Sequence, residues 1–118
     1  MATRQPSMTD ITPSGRTRLA TWTGLLNGDD GGYVDWVDFA DRCFQVTGTF
    51  GTGGSVTMQG SNDGTNWSSL SDPQGNVLTF TSSRLEQALE LPRYVRPNVT
   101  AGDGTTNLVV TLCMRKVF

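Results

Sequence analysis

Residues 42–60 read Arg42-Cys43-Phe44-Gln45-Val46-Thr47-Gly48-Thr49-Phe50-Gly51-Thr52-Gly53-Gly54-Ser55-Val56-Thr57-Met58-Gln59-Gly60. Phe44, Val46 and Phe50 share one parity, with Gln45, Thr47 and Thr49 on the other. A strand with one face on a core and one face in water needs this two-residue alternation. The run Gly51–Gly54 reads as a turn, because no helix pattern follows it as a phosphate cradle would require. Val56 and Met58 then alternate inward again. Residues 42–60 are therefore expected to form a β-hairpin.

The same signals extend in both directions. Arg18–Leu26 is β-rich and stops at Asn27-Gly28-Asp29-Asp30-Gly31-Gly32, a strong loop signal. Tyr33–Ala40 alternates imperfectly, as a bulged strand or a strand and a half would. Ser61–Asn66 reads as a turn in which Asp63-Gly64 tolerates positive φ. Trp67–Leu70 is a short strand, Asp72-Pro73-Gln74-Gly75 fits a type I turn, and Val77–Thr81 resumes the strand pattern. Ser83-Arg84-Leu85-Glu86 has capping-box spacing, which leaves two readings: a turn or two of helix, or a loop over the core edge that ends at Pro92. Arg93–Thr100 and Thr106–Val117 are expected to close a last hairpin around Ala101–Gly104. In its second strand Leu108, Val110, Leu112 and Met114 share one face, and the other face is also partly apolar, so this strand is expected at the centre of a sheet. About eight short strands with frequent turns make an all-β chain, a sandwich or a small barrel. Residues 1–15 carry no periodicity and contain Pro6 and Pro13, so they read as an extended N-terminal arm on a body spanning 16–118.

Composition restricts the chemistry. The 118 residues include 14 Gly, 5 Pro, 17 Thr and 9 Ser, no His and a single lysine, Lys116; the net charge is −2. Without His the Ser-His-Asp and Cys-His arrangements are excluded, as is the most frequent zinc ligand. Cys43 and Cys113 cannot build a four-thiolate site alone. They read as free, half-buried thiols, with a bridge between them open if their strands are neighbours. No catalytic residue, cofactor or metal is assigned. Asp29, Asp30, Asp35, Asp38 and Asp41 cluster without calcium-loop spacing and read as a solvated loop and strand edge. One lysine and no basic cluster argue against nucleic acid. No apolar run is long enough to span a membrane, and Met1–Pro6 lacks the apolar run of a secretory signal. The local basic excess is Arg4, Arg16 and Arg18, with Asp10 the only acid in the first 28 residues. It reads either as a solvated arm or as a basic arm that lies on an acidic protein surface.

Two further stretches carry a family resemblance. They are Gln59-Gly60-Ser61-Asn62-Asp63-Gly64-Thr65-Asn66-Trp67 and Pro92-Arg93-Tyr94-Val95-Arg96-Pro97. Their order over residues 44–115 resembles the second half of discoidin-type jelly rolls. It more closely resembles the small β-sandwich decoration (cement, auxiliary head) proteins of tailed bacteriophages. Read physically, the Asp63-Gly64 tip sets the register, Ser61 shapes the turn and Trp67 packs on the core face after it. Tyr94 and Arg96 share a strand face, from which Arg96 is expected to reach a carboxylate across neighbouring strands, for example Asp63 or Glu86. The resemblance implies an antiparallel, jelly-roll-like sandwich made in the host cytoplasm and carried on the virion. Its partner would be the major capsid protein, which it would bind from outside the head, and it would self-associate as a dimer or trimer. Arg4, Arg16, Arg18, Trp22, Tyr33 and Trp36 are then candidate capsid contacts, the three aromatics being either exposed anchors or core. The alternatives are a carbohydrate-binding sandwich or another minor virion part, of tail or neck.

Overall fold

The computed structural model describes residues 1–35 and 38–116. Their regular structure is all strand. Eleven strands form among the described residues: β1 (Thr3–Arg4), β2 (Ser7–Asp10), β3 (Thr17–Leu25), β4 (Asp30–Gly31), β5 (Phe39–Thr49), β6 (Ser55–Ser61), β7 (Ser68–Ser69), β8 (Thr79–Phe80), β9 (Arg84–Gln87), β10 (Tyr94–Ala101) and β11 (Asn107–Lys116). The longer ones fall where alternation places them. The strands that alternation did not place are the short β1, β2, β4 and β9, whose existence depends on a distant neighbour rather than on local pattern; β4, inside the stretch expected to be a loop, lies between β1 and β10.

Two sheets face each other. The first runs β1-β4-β10-β6-β7, with β8 also paired to β6; the second runs β2-β3-β11-β5-β9. All pairings are antiparallel except β1 with β4. Between the sheets Phe44, Val46, Leu108, Val110, Leu112 and Met114 of the second meet Val56, Met58, Phe80, Val95 and Val99 of the first. β11 lies centrally between β3 and β5, as its two-sided apolar pattern predicts.

Both expected hairpins are corrected. β5 belongs to the second sheet and β6 to the first, so residues 50–54 arch between sheets. β10 and β11 are separated in the same way by residues 102–106. A hairpin and an arch need the same local ingredients: two strands with inward apolar residues and a Gly-rich link. What selects the arch is the partner each strand finds, β11 for β5 and β10 for β6. The two arches also lock together: Thr52 N donates to Asp103 Oδ2 at 2.8 Å and Thr106 Oγ1 donates to Phe50 O at 2.8 Å.

The stretch 83–87 is neither helix nor loop. Its residues Arg84–Gln87 are the edge strand β9, paired along β5 from Cys43↔Gln87 to Val46↔Arg84. In the stretch 33–40 Val34 makes an isolated bridge to Val95 and β5 begins at Phe39, while residues 36 and 37 lie outside the described residues. Within residues 1–15, β1 lies along β4 and β2 along β3, so this segment hydrogen-bonds to both sheets of the body.

Candidate functional site

The outer face of the first sheet gathers three aromatic rings and two guanidinium groups. β10 turns Tyr94 and Arg96 to this face opposite Ser61 and Gln59 of β6. Arg96 Nε donates to Gln59 Oε1 at 3.0 Å and Nη1 reaches Asp30 Oδ2 at 3.3 Å. Its guanidinium carbon lies 4.0 Å from the centre of the Trp67 ring. Tyr33 packs on Tyr94 at 4.6 Å and on Trp67 at 6.0 Å between ring centres. Beyond Tyr94, the Arg93 guanidinium sits 4.8 Å from that ring and pairs with both oxygens of Asp35, at 3.3 and 3.4 Å. The result is a row, Arg96–Trp67–Tyr33–Tyr94–Arg93, with an acid at each end. Tyr33 is 52% exposed, so the middle of the row meets solvent.

The loop behind Trp67 is held by Asp63. Thr65 N and Asn66 N donate to Asp63 Oδ1, Asn66 Nδ2 donates to Oδ2, and Ser61 Oγ donates to Oδ1. The Asn66 and Thr65 backbone bonds, then the Asn66 and Ser61 side chains, hold the carboxyl well below the usual carboxylate range. Gly64 follows at φ 78°, where an L side chain is strained. Beside this loop an open groove of about 550 Å³ is lined by Ser61, Asn62, Asp63, Asn66, Glu90 and Pro92, among others. Pro92 is fixed from below by Arg42, whose buried guanidinium donates to Pro92 O at 2.8 Å.

The residues expected to act together divide into three groups. Ser61, Asp63, Gly64, Trp67, Tyr94 and Arg96 do form one neighbourhood, and Tyr33 joins it. Two details differ from expectation. Trp67 is half-buried on the outer face and is not part of the core, because the Arg96 and Tyr33 side chains cover it there. Arg96 pairs with Asp30, not Asp63 or Glu86, because Asp30 lies in β4 beside β10. Trp22 is fully buried in the core, with Nε1 donating to Gly32 O at 2.9 Å, so it is no surface anchor. Trp36 lies outside the described residues.

Two of the three N-terminal arginines pair within the chain. Arg4 Nε pairs with Asp29 at 3.0 Å, and Arg18 pairs with Asp10. Arg16 is exposed at the β2–β3 connection. Asp29 is not a solvated loop acid but 3% exposed. Burial pushes its pKa up, but hydrogen bonds from Leu26 N, Arg4 and Ala2 N outweigh this and leave it below the usual value. No local signal marks that role, since Arg4 is 25 residues away. The same holds for Asp30, Asp35 and Gln59, which the sequence reading did not place in the site. Among the described residues no three His, Cys, Asp or Glu groups converge to hold a metal. Cys43 and Cys113 face each other across β5 and β11 as free thiols.

No family model matches this sequence, and no curated protein matches it. Among solved structures, the fold is similar to that of the SPBc2 prophage-derived protein YomS. The TM-score is 0.63 at 9% identity, covering 83% of this chain and 93% of that one. Peruvianin-I, a cysteine peptidase from Thevetia peruviana latex, aligns at a TM-score of 0.47 and 14% identity over 94% of this chain and 61% of its own.

Proposed function

We propose that this chain is a structural virion protein of a tailed phage that binds the major capsid protein on the outer surface of the head and cements the lattice. The observation that carries the reading is the row of Tyr33, Tyr94 and Trp67 between Arg93 and Arg96, which meets solvent at Tyr33 and Arg93. Tyr, Trp and Arg dominate protein–protein hot spots, because they bury large areas with few rotors and still offer polar contacts. Here the rings hold one another and the acids orient the guanidinium groups, so little order is lost on docking. Likeness of fold to a prophage-derived protein supports the phage setting, as does the resemblance of the 59–67 and 92–97 motifs to decoration proteins. Many copies on a repeating lattice would convert a modest contact into a firm coat.

Purified protein mixed with undecorated heads and sedimented tests this. Wild type should pellet with heads at a copy number comparable with that of the capsid protein. Y33A and R93A, both at solvent-facing positions, should stay folded and remain in the supernatant. Equal binding by wild type and both variants would overturn the role of this face. A handful of copies per virion would point to tail or neck.

The groove beside Asp63 favours a second reading, a carbohydrate-binding module, because polar side chains there flank the aromatic row. Glycan-array binding lost in Y33A, with no binding to heads, would select it.

A further inference from the structure

We propose that a second copy of this chain docks on β9, pairing edge to edge about a two-fold axis at Leu85. It gives the self-association that the resemblance implies a place and a register in the fold, and its test needs no capsid. β9 ends the second sheet, and among the described residues no strand pairs its outer side. The antiparallel ladder to β5 fixes which groups face out. Ala88 N donates to Arg42 O at 3.0 Å. By two-residue alternation Glu86 and Arg84 also turn their backbone groups toward β5, and Leu85 and Gln87 present theirs to the open edge. Of the four β9 side chains Leu85 is the apolar one and is 59% exposed, and the exposed Leu89 and Leu91 follow it in the chain.

Symmetry then selects the register. In an antiparallel pair, residues directly opposite share a face. A two-fold axis normal to the sheet must therefore pass between a residue and its own copy. Centring on Arg84 or Gln87 leaves a single β9 residue facing β9 of the partner. Centring on Glu86 sets two like charges opposite each other. Centring on Leu85 sets Leu85 against the partner's Leu85, and Arg84 against the partner's Glu86 in both directions. It also lets the outward N–H and C=O of Leu85 exchange both hydrogen bonds with its copy. Within one chain Arg84 and Glu86 already lie 3.6 Å apart. The two chains together would make a closed ring of four alternating charges. This edge is self-complementary in charge, in apolar surface and in backbone hydrogen bonding.

Sedimentation equilibrium on the purified full chain, with no capsid present, tests the proposal apart from the capsid reading. Wild type should show a reversible monomer–dimer equilibrium. L85D should weaken it by about tenfold or more, and the milder L85S should weaken it in the same direction. R84E and E86R should each weaken it, and the double reversal R84E/E86R should return it to within about threefold of wild type. Circular dichroism should show every variant folded; any that is not is replaced by the remaining ones. A monomer at every concentration would mean that the edge charges guard against pairing, and would overturn the proposal. So would a dimer indifferent to L85D and L85S, or a double reversal as weak as its single parents.

Discussion

Thr106 Oγ1 donates to Phe50 O at 2.8 Å and accepts from Asp103 N at 2.9 Å, joining the two arches by which the chain changes sheets. Thr106 is 2% exposed, so water cannot replace it. T106V keeps the shape and removes both bonds, stranding a carbonyl and an amide. The expected loss is about 1–3 kcal/mol of unfolding free energy, read from urea denaturation. A loss within error of zero would show that the arches are held by packing alone.

Trp22 and Gly31 form a close-packed pair. A Cβ on Gly31 would lie 2.6 Å from Trp22 Cδ1 and from Pro97 Cδ. G31A is therefore expected to destabilise by about 1–3 kcal/mol through overpacking. W22F, which leaves Gly32 O without its donor and part of the ring's volume empty, should cost about 2 kcal/mol or more. Thermal unfolding of both variants measures this.

Acid should weaken the fold from about pH 4 downward. Asp63 is held below its ordinary value of 3.8 by its loop hydrogen bonds. Asp103 is held down by the Thr105 hydroxyl and by Thr52 N and Thr105 N. In the unfolded chain both carboxylates protonate near 3.8, whereas in the folded chain they resist. Unfolding therefore takes up protons, and the stability present above that pH is lost as pH falls toward the folded values. Melting temperature plotted against pH should show this limb, and D63N and D103N should each flatten it.

Arg96 is 23% exposed and sits between Trp67 and Asp30. R96A should cost about 1–2 kcal/mol, the partly wet ion pair adding little beyond the ring contact. In a double-mutant cycle with W67A the coupling should exceed about 0.5 kcal/mol. Additive losses would show that the ring and the guanidinium touch without interacting.

The Cys43 thiol is pushed above its usual value by burial first, then by Cys113 and Glu86. At pH 8 its alkylation by iodoacetamide should be slower than that of a free peptide thiol and should accelerate on unfolding. Mass spectrometry resolved by peptide gives the rate. A rate matching the free thiol would contradict the half-buried position.

The strands were legible because alternation is local. Phe44 and Val46, Val56 and Met58, and Leu108 to Met114 declare their inward faces within a few residues of sequence, and the structure buries them. The turn at Ser61–Asn66 was legible for the same reason, since Asp63 bonds only residues within three positions of itself. The edge strand β9 was not, because a four-residue strand exists by virtue of β5, some forty positions earlier.

The amino-acid order alone determined a chain of short strands, the residues each strand turns inward, and the tight loop ahead of Trp67. Tertiary structure decided the sheet each strand joins, and so turned two hairpins into arches. It also sent Trp22 to the core, set Arg4 on Asp29 and brought Arg96 to Asp30, 66 positions away. The physical reason is range. A period of two is imposed by the backbone of a single strand, whereas the choice of neighbour depends on which distant edge and which distant charge give the most complete burial and pairing.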